Sequence, residues 1–287
     1  MKNMGSGPKG LSCVASNYDV VLCDIWGVLH NGLIGYKAAE EALSTYRAQG
    51  GHVILISNTA RPAHNIAQML SDMGISSDCY DAISTSGDAT RELLHPYTGR
   101  VIHHIGPVED AAIFDGLQLI CSDAERAEAV VVTDLTNPQD TPQDYTERMD
   151  YWFERGLPMI CANPDKYVEV GDRIEYCPGA LADIYQDMGG QVKIAGKPHA
   201  SIYAAAFTKL RSITGKDVDR RRILAIGDSV RTDATGAARQ SLDFFFITGS
   251  IHAAELEAAG LSREKAVSEL VGPSEANMVA FALRLGW

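Results

Sequence analysis

The sequence predicts an α/β protein, a Rossmann-like core built on a parallel sheet with a second α/β domain inserted into it. Three observations carry this expectation. Short apolar runs alternate with helix-like segments over the first hundred residues, and strand, helix, strand in that order implies parallel pairing with right-handed crossovers. Two runs far apart in the chain end abruptly in an acid: Val20-Val21-Leu22-Cys23 precedes Asp24, and Ile223-Leu224-Ala225-Ile226 precedes Gly227-Asp228. Between them lies a stretch with its own strand rhythm, punctuated by Pro138, Pro142, Pro158, Pro164 and Pro178.

In chain order, the Asp24 strand is followed by a helix from Lys37 to Gln49, closed by Gly50-Gly51. Val53 to Ile56 is a second buried strand that ends in Ser57-Asn58-Thr59. Pro62 suits the first turn of the next helix, whose face is set by Ile66, Met69, Leu70 and Met73 at helical spacing, with Gly74 as its stop. A third strand runs from Ala82 to Thr85. The insertion, residues 87–190, contributes strands at Val101 to Ile105, Val130 to Thr133 and Met159 to Ala162 and a helix from Gln143 to Arg155. Residues 1–86 and 191–287 form the discontinuous core. Core rhythm resumes at Val192 to Ala195 before Gly196-Lys197-Pro198. A helix then presents Tyr203, Ala206, Phe207 and Leu210 on one face, and Phe244-Phe245-Phe246 is expected as the last buried strand.

Composition narrows the function classes. The chain has 287 residues, 46% apolar and 22% charged, enough for two modest domains with real cores. The net charge of −12 and pI near 5.1 disfavour nucleic acid or an anionic membrane as partner, since both need a basic face. An anionic substrate remains compatible, because one metal ion inverts the local field. The six cysteines include no C-x-x-C pair and fit reduced thiols in a cytoplasm. Met1 to Gly10 is rich in Gly, Ser and Lys and is expected to be a frayed leader.

Four short segments fall at strand ends: Asp24-Ile25-Trp26-Gly27, Ser57-Asn58-Thr59, Gly196-Lys197-Pro198, and Gly227-Asp228 with Asp233. They supply a carboxylate nucleophile, a hydroxyl beside an amide, one lysine and an acidic pair. Phosphoryl transfer needs that inventory, because its catalysis depends on placing positive charge and donors around spread negative charge. Each segment also has a plainer explanation: a cap after a strand for Asp24, a helix N-cap for Ser57-Asn58-Thr59, a surface position for Lys197.

In order and at strand ends, the four segments resemble the motifs of the haloacid dehalogenase superfamily. The insertion resembles a C2-type cap. Ser84 to Thr90, Ala162-Asn163-Pro164-Asp165 and Pro178-Gly179-Ala180 resemble landmarks of its subfamily IIA, the NagD-like and 4-nitrophenylphosphatase-like sugar phosphatases. The resemblance implies a Mg²⁺-dependent phosphatase acting on a small phosphorylated metabolite. Asp24 would be the nucleophile and a metal ligand, and the Trp26 carbonyl a second ligand. Gly27, Ser57, Asn58 and Thr59 would hold the phosphoryl group, and Lys197 would neutralise charge. Asp228 would bind the metal, and Asp233 would bind it or orient a metal-bound water, with Asn163 and Asp165 facing substrate from the cap. Caps of this type also pair between subunits, which implies a possible homodimer.

Trp26 departs from the pattern. The family's phosphatases carry there an Asp that protonates the leaving oxygen, whereas indole has one donor and no proton to give near neutral pH. Slow turnover, a preference for good leaving groups, or an acid supplied from elsewhere follows. Two other readings stay open: a phosphate-binding module without efficient hydrolysis, and a dehalogenase-like hydrolase, a branch with an aromatic at the equivalent place. His30, close by, is read as a loop histidine. His103 and His104 are adjacent on a strand and so face opposite sides.

Overall fold

The structure, a computed structural model, describes residues 9–170 and 173–287. Its first unit comprises β1 (Val20–Asp24), α1 (Lys37–Ala48), β2 (His52–Ser57), α2 (Ala63–Asp72), β3 (Ala82–Thr85) and α3 (Ser86–Leu94). The chain then builds β4 (Val101–Ile105), β5 (Ile120–Cys121), β6 (Ala129–Val132), α4 (Thr146–Glu154) and β7 (Met159–Cys161). A hairpin, β8 (Tyr167–Val170) with β9 (Arg173–Tyr176), precedes α5 (Pro178–Asp187) and β10 (Val192–Ile194). It returns through α6 (Ala200–Thr214), β11 (Ile223–Gly227), α7 (Thr235–Arg239), β12 (Asp243–Ile247), α8 (Ala253–Ala258), α9 (Arg263–Val271) and β13 (Asn277–Ala282).

The main sheet is parallel throughout, in the order β13-β12-β11-β1-β2-β3. Its apolar runs are continuous because both faces are covered. Val21, Cys23, Val53, Leu55, Leu224 and Ile226 enter one core, and Val20, Leu22, Ile54, Ile56, Ile223 and Ala225 enter the other. Phe245 belongs to the first core, while Phe244 and Phe246 belong to the second. The chain moves outward one way from β1 and the other way from β11. The switch point therefore lies between these two strands, where a crevice opens beyond their carboxyl ends. Those ends carry Asp24 and Gly227-Asp228.

A second parallel sheet, β10-β7-β6-β4-β5, has its own core around Trp152, Tyr185, Tyr145 and Met149. Two strand expectations need correction. Val192–Ile194 does not resume the main sheet; it pairs with Met159–Cys161 at the edge of the second one. The Phe244–Ile247 strand is not the last, because β13 pairs beyond it with a register shift at Phe244/Phe245. The helix expected from Gln143 starts at Thr146, after a 3₁₀ turn at Pro142–Tyr145 closed by a Thr141/Asp144 capping box. Most of the leader expected at Met1 to Gly10 lies outside the described residues. Lys9, within it, is tied down: its N–H donates to the Phe281 carbonyl at 2.9 Å. No described helix is long and apolar enough to cross a membrane.

Candidate active site

The switch point gathers the charged segments. Asp24 closes β1, fully paired to β2 up to that residue, and is buried. Lys197 arrives from the turn after β10, where Gly196 has φ +97°. Its Nζ lies 2.6 Å from Asp24 Oδ1 and 2.7 Å from Asp233 Oδ1, with 4% of the side chain exposed. The other Asp233 oxygen accepts the backbone N–H groups of Asp228, at 3.2 Å, and Ser229, at 3.1 Å. Gly227 makes this approach possible, since a Cβ there would lie 2.2 Å from the Asp233 carboxyl carbon. Asp233 sits in a π-helical turn, Val230–Ala234, that leads into α7.

Electrostatics follow from burial and crowding. Burial, then the neighbouring Asp233, pushes Asp24 well above the usual carboxylate range. The same two causes push Asp228 up to about 7. Burial works against charge on Lys197, but Asp233 and Asp24 outweigh it and hold the ammonium charged. One oxygen from each of Asp24, Asp228 and Asp233 lies within 4.8 Å of the others. Three buried carboxyls around one lysine leave an excess of negative charge in a hard oxygen donor set. That set fits a divalent cation such as Mg²⁺.

Ser57 ends β2, with its Oγ accepting from the Thr59 N–H at 3.3 Å. It does not cap a helix: α2 begins at Ala63, with Pro62 at the position before it. Asn58 is held on both sides of its amide. Its Oδ1 accepts the Lys197 N–H at 2.7 Å, and its Nδ2 donates to Asp165 Oδ1 at 2.9 Å. Asp24, Trp26, Ser57, Asn58, Thr59, Asn163, Asp165, Lys197 and Asp228 all line one cavity of 340 Å³. Asp233 stands behind that lining. Gly27 does not line it either; at φ +78° it packs against Asp228, where a Cβ would fall 1.9 Å from a carboxylate oxygen.

Trp26 also lines the cavity, its ring edge-on to His30 with centroids 5.0 Å apart. The histidine is fully buried, and burial lowers its pKa to about 4. It is therefore neutral near pH 7. Its Nδ1 accepts the Gly32 N–H at 2.9 Å, so the proton resides on Nε2, which has no hydrogen-bond partner among the described residues.

Two family models match the sequence. One, a haloacid dehalogenase-like hydrolase, matches residues 21–119, and a second HAD-hydrolase-like model matches residues 194–271. The two leave residues 120–193 between them. A solved hydrolase of the haloacid dehalogenase-like family from Brucella suis 1330 is 44% identical, with 86% of this chain and 91% of that one covered at a TM-score of 0.83. The chain belongs to the haloacid dehalogenase-like family.

Two more distant structures share the fold of this hydrolase. A possible sugar phosphatase of the superfamily from Cytophaga hutchinsonii is 21% identical, covering 89% of this chain and 95% of its own at a TM-score of 0.74. NagD from Escherichia coli K-12 is 19% identical, with 93% and 97% covered at a TM-score of 0.64. No protein in the curated set matches by sequence.

The hydrolase's cavity has a far wall that the sequence reading did not anticipate. It includes Asp110, Thr133, Asp134, Tyr167, Val170 and Glu175. Burial pushes Asp134 up to about 7. Asp110 holds Arg61 Nε at 2.8 Å. A signal for Asp134 was present, since it follows the apolar run Val130 to Thr133 just as Asp24 follows its own. Nothing comparable marks Arg231, which lies between Asp228 and Asp233 in the chain and donates to the Pro164 carbonyl at 2.9 Å.

His103 and His104 do face apart, bonding Ser122 O at 3.0 Å and Thr133 Oγ1 at 2.8 Å.

Proposed function

We propose that this hydrolase is a Mg²⁺-dependent phosphatase of small phosphorylated metabolites that works through an aspartyl-phosphate on Asp24. The observation that carries the reading is the Lys197 ammonium bridging Asp24 and Asp233 beside Asp228, all buried at the sheet's switch point. Asp24, Asp228 and Asp233, with the Trp26 carbonyl, would hold the magnesium ion, which when bound supplies positive charge against the phosphoryl oxygens. The free Asp24 oxygen attacks phosphorus as the bond to the leaving oxygen breaks. Lys197 offsets the charge shared between carboxylate and phosphoryl group. Ser57 Oγ and the Asn58 and Thr59 amides receive the remaining phosphoryl oxygens. Water then hydrolyses the acyl phosphate and regenerates Asp24.

No acid stands at position 26, so the leaving oxygen departs without proton transfer from that side. Turnover is slow and favours leaving groups that need no protonation. The cavity's size limits the substrate to a small metabolite. Six acids line it, Asp24, Asp110, Asp134, Asp165, Asp228 and Glu175, against the two cations Arg61 and Lys197. Such a wall repels a second anionic group and favours a hydroxyl-rich one, which supports a sugar or polyol phosphate. In this reading the cap comprises residues 87–190, extended to Ile194 by the pairing of β10. The enzyme works in the cytoplasm, and cap pairing would make it a homodimer.

The test is release of 4-nitrophenol from 4-nitrophenyl phosphate with Mg²⁺, comparing wild type with Asp24→Asn. Activity lost in the variant is the expected result, and equal rates would remove the proposal. Trp26 also supports a second reading, a phosphate-binding module without turnover. Thermal stabilisation by sugar phosphates, with no phosphate released over hours, would decide for it.

A further inference from the structure

The turn Asn163-Pro164-Asp165 follows β7 of the second sheet, yet two of its polar contacts reach into the core. Asp165 Oδ1 accepts from Asn58 Nδ2 at 2.9 Å, and the Oδ1 of that same amide accepts the Lys197 N–H at 2.7 Å. Lys197 Nζ then reaches Asp24. The Pro164 carbonyl accepts from Arg231, which belongs to the π-helical turn carrying Asp233. A hydrogen-bonded line thus runs from the cap turn through Asn58 and Lys197 to Asp24, and a second contact joins the turn to the acidic loop.

Packing around the line is tight. A Cβ on Gly196 would lie 2.8 Å from Asn58 Oδ1, Pro164 Cδ and Ser86 Oγ alike. The turn itself is pinned from the cap side, where the Gly179 N–H donates to the Asp165 carbonyl at 2.9 Å. A Cβ on Gly179 would fall 2.2 Å from the Pro164 carbonyl oxygen. Asn58 therefore has its rotamer set jointly by the lysine's backbone below and the Asp165 carboxylate above. Without the upper partner, Nδ2 keeps only a long 3.4 Å contact to the Lys197 carbonyl, and the amide's hold on the lysine backbone loosens. Shifts of about 1 Å in such a site cost on the order of 10²-fold in rate.

We propose that Asp165 is a positioning residue: it acts through Asn58 to place Lys197 against Asp24, so that seating of the cap assembles the phosphoryl site. This inference rests on the phosphatase reading above. It differs from the role the family resemblance implies for Asp165, a direct contact with substrate.

The two roles separate by kinetics on full-length protein with Mg²⁺, using 4-nitrophenyl phosphate and glycerol phosphate in parallel. A positioning role predicts that Asp165→Ala lowers kcat about tenfold on both substrates, with KM within about twofold. Asp165→Asn keeps an acceptor for the Asn58 amide and restores most of the rate. Asn58→Ala produces a similar loss, and the double variant Asn58→Ala/Asp165→Ala is no worse than the poorer single one. A loss confined to glycerol phosphate, a loss carried by KM, an Asp165→Asn variant as poor as Asp165→Ala, or additive losses would each overturn the inference. Should Asp165→Ala not fold by thermal melting, Asp165→Ser takes its place in the same comparison. Wild type is read first: if it does not release 4-nitrophenol, the phosphatase reading fails and takes this inference with it. An active wild type with an equally active Asp165→Ala defeats the inference alone.

Discussion

The floor and the far wall of the cavity are built differently. The floor is three strand-end segments of the main sheet, after β1, β2 and β11, met by the turn after β10 of the second sheet, its charges buried and in direct contact: Lys197 against Asp24 and Asp233, and the Asp233 carboxylate against the Asp228 and Ser229 amides. The wall comes from the second sheet's loops and its hairpin, with Tyr167 open to solvent and Asp110 engaged by an Arg61 side chain 43% exposed. In the proposed reaction, buried groups in fixed contact would perform the chemistry common to every substrate. Groups on loops at the wall would then discriminate among substrates, since loop residues can change without disturbing that chemistry.

The contrast is broken or sharpened by a graded set of variants. Asp24→Asn should lower turnover of every phosphate ester by about 10³-fold or more, as loss of a nucleophile does; single-turnover assays with trapped acyl phosphate would check it. A floor whose loss spares some substrates would break the contrast. Trp26→Asp stands where floor meets wall. It should raise kcat on poor leaving groups by about 10²-fold, the low end of general-acid help, and leave 4-nitrophenyl phosphate nearly unchanged. Equal gains on both esters, or no gain, would show that proton transfer does not limit the reaction.

Asp134→Asn touches the wall alone. It should shift the ratio of kcat/KM between glycerol phosphate and 4-nitrophenyl phosphate by about tenfold, in disfavour of glycerol phosphate. A parallel loss on both would assign Asp134 to the floor instead.

The smallest effect is thermal. Asp24 and Asp228 have folded-state pKa values raised by burial and by each other's neighbour Asp233, Asp228 to about 7. In the metal-free protein they retain protons that the unfolded chain has released, so their contribution to stability falls as pH rises through about 7. A bound cation competes with those protons. The Mg²⁺-induced rise in Tm should therefore be larger at pH 8 than at pH 5. Buried His30, shifted down to about 4, contributes with the opposite sign, but equally with and without metal, and cancels in the difference. A gain independent of pH would argue against the carboxylate cluster as the cation's seat.

Much of the floor was legible in the sequence, and the physical reason is local. A strand buried on both faces must be apolar, so an acid at its end stands out, as Asp24 and Asp228 do. Lys197 was marked by its flanking glycine and proline. Apart from Asp134, which ends a strand as Asp24 does, the wall lacked such contrast, because its residues lie in segments without periodicity and their neighbours come from distant parts of the chain. Val192–Ile194 shows the limit well. Three apolar-to-polar residues fit either sheet, and only pairing with Met159–Cys161 decides between them. β13 escaped notice for a related reason: Asn277-Met278-Val279-Ala280 is an edge strand, open at its start and short of the β-branched density of the inner strands.

The strand order has a consequence for how the chain reaches this state. β1 takes β11 as its neighbour, pairing Val20 with Ile223, about 200 residues later. Until that partner is synthesised, β1 to β3 present an open hydrogen-bonding edge flanked by apolar side chains, while the intervening segment is free to collapse on its own core. Refolding yield should fall steeply with protein concentration, and the intermediate at risk of association is the half-built main sheet rather than the insert.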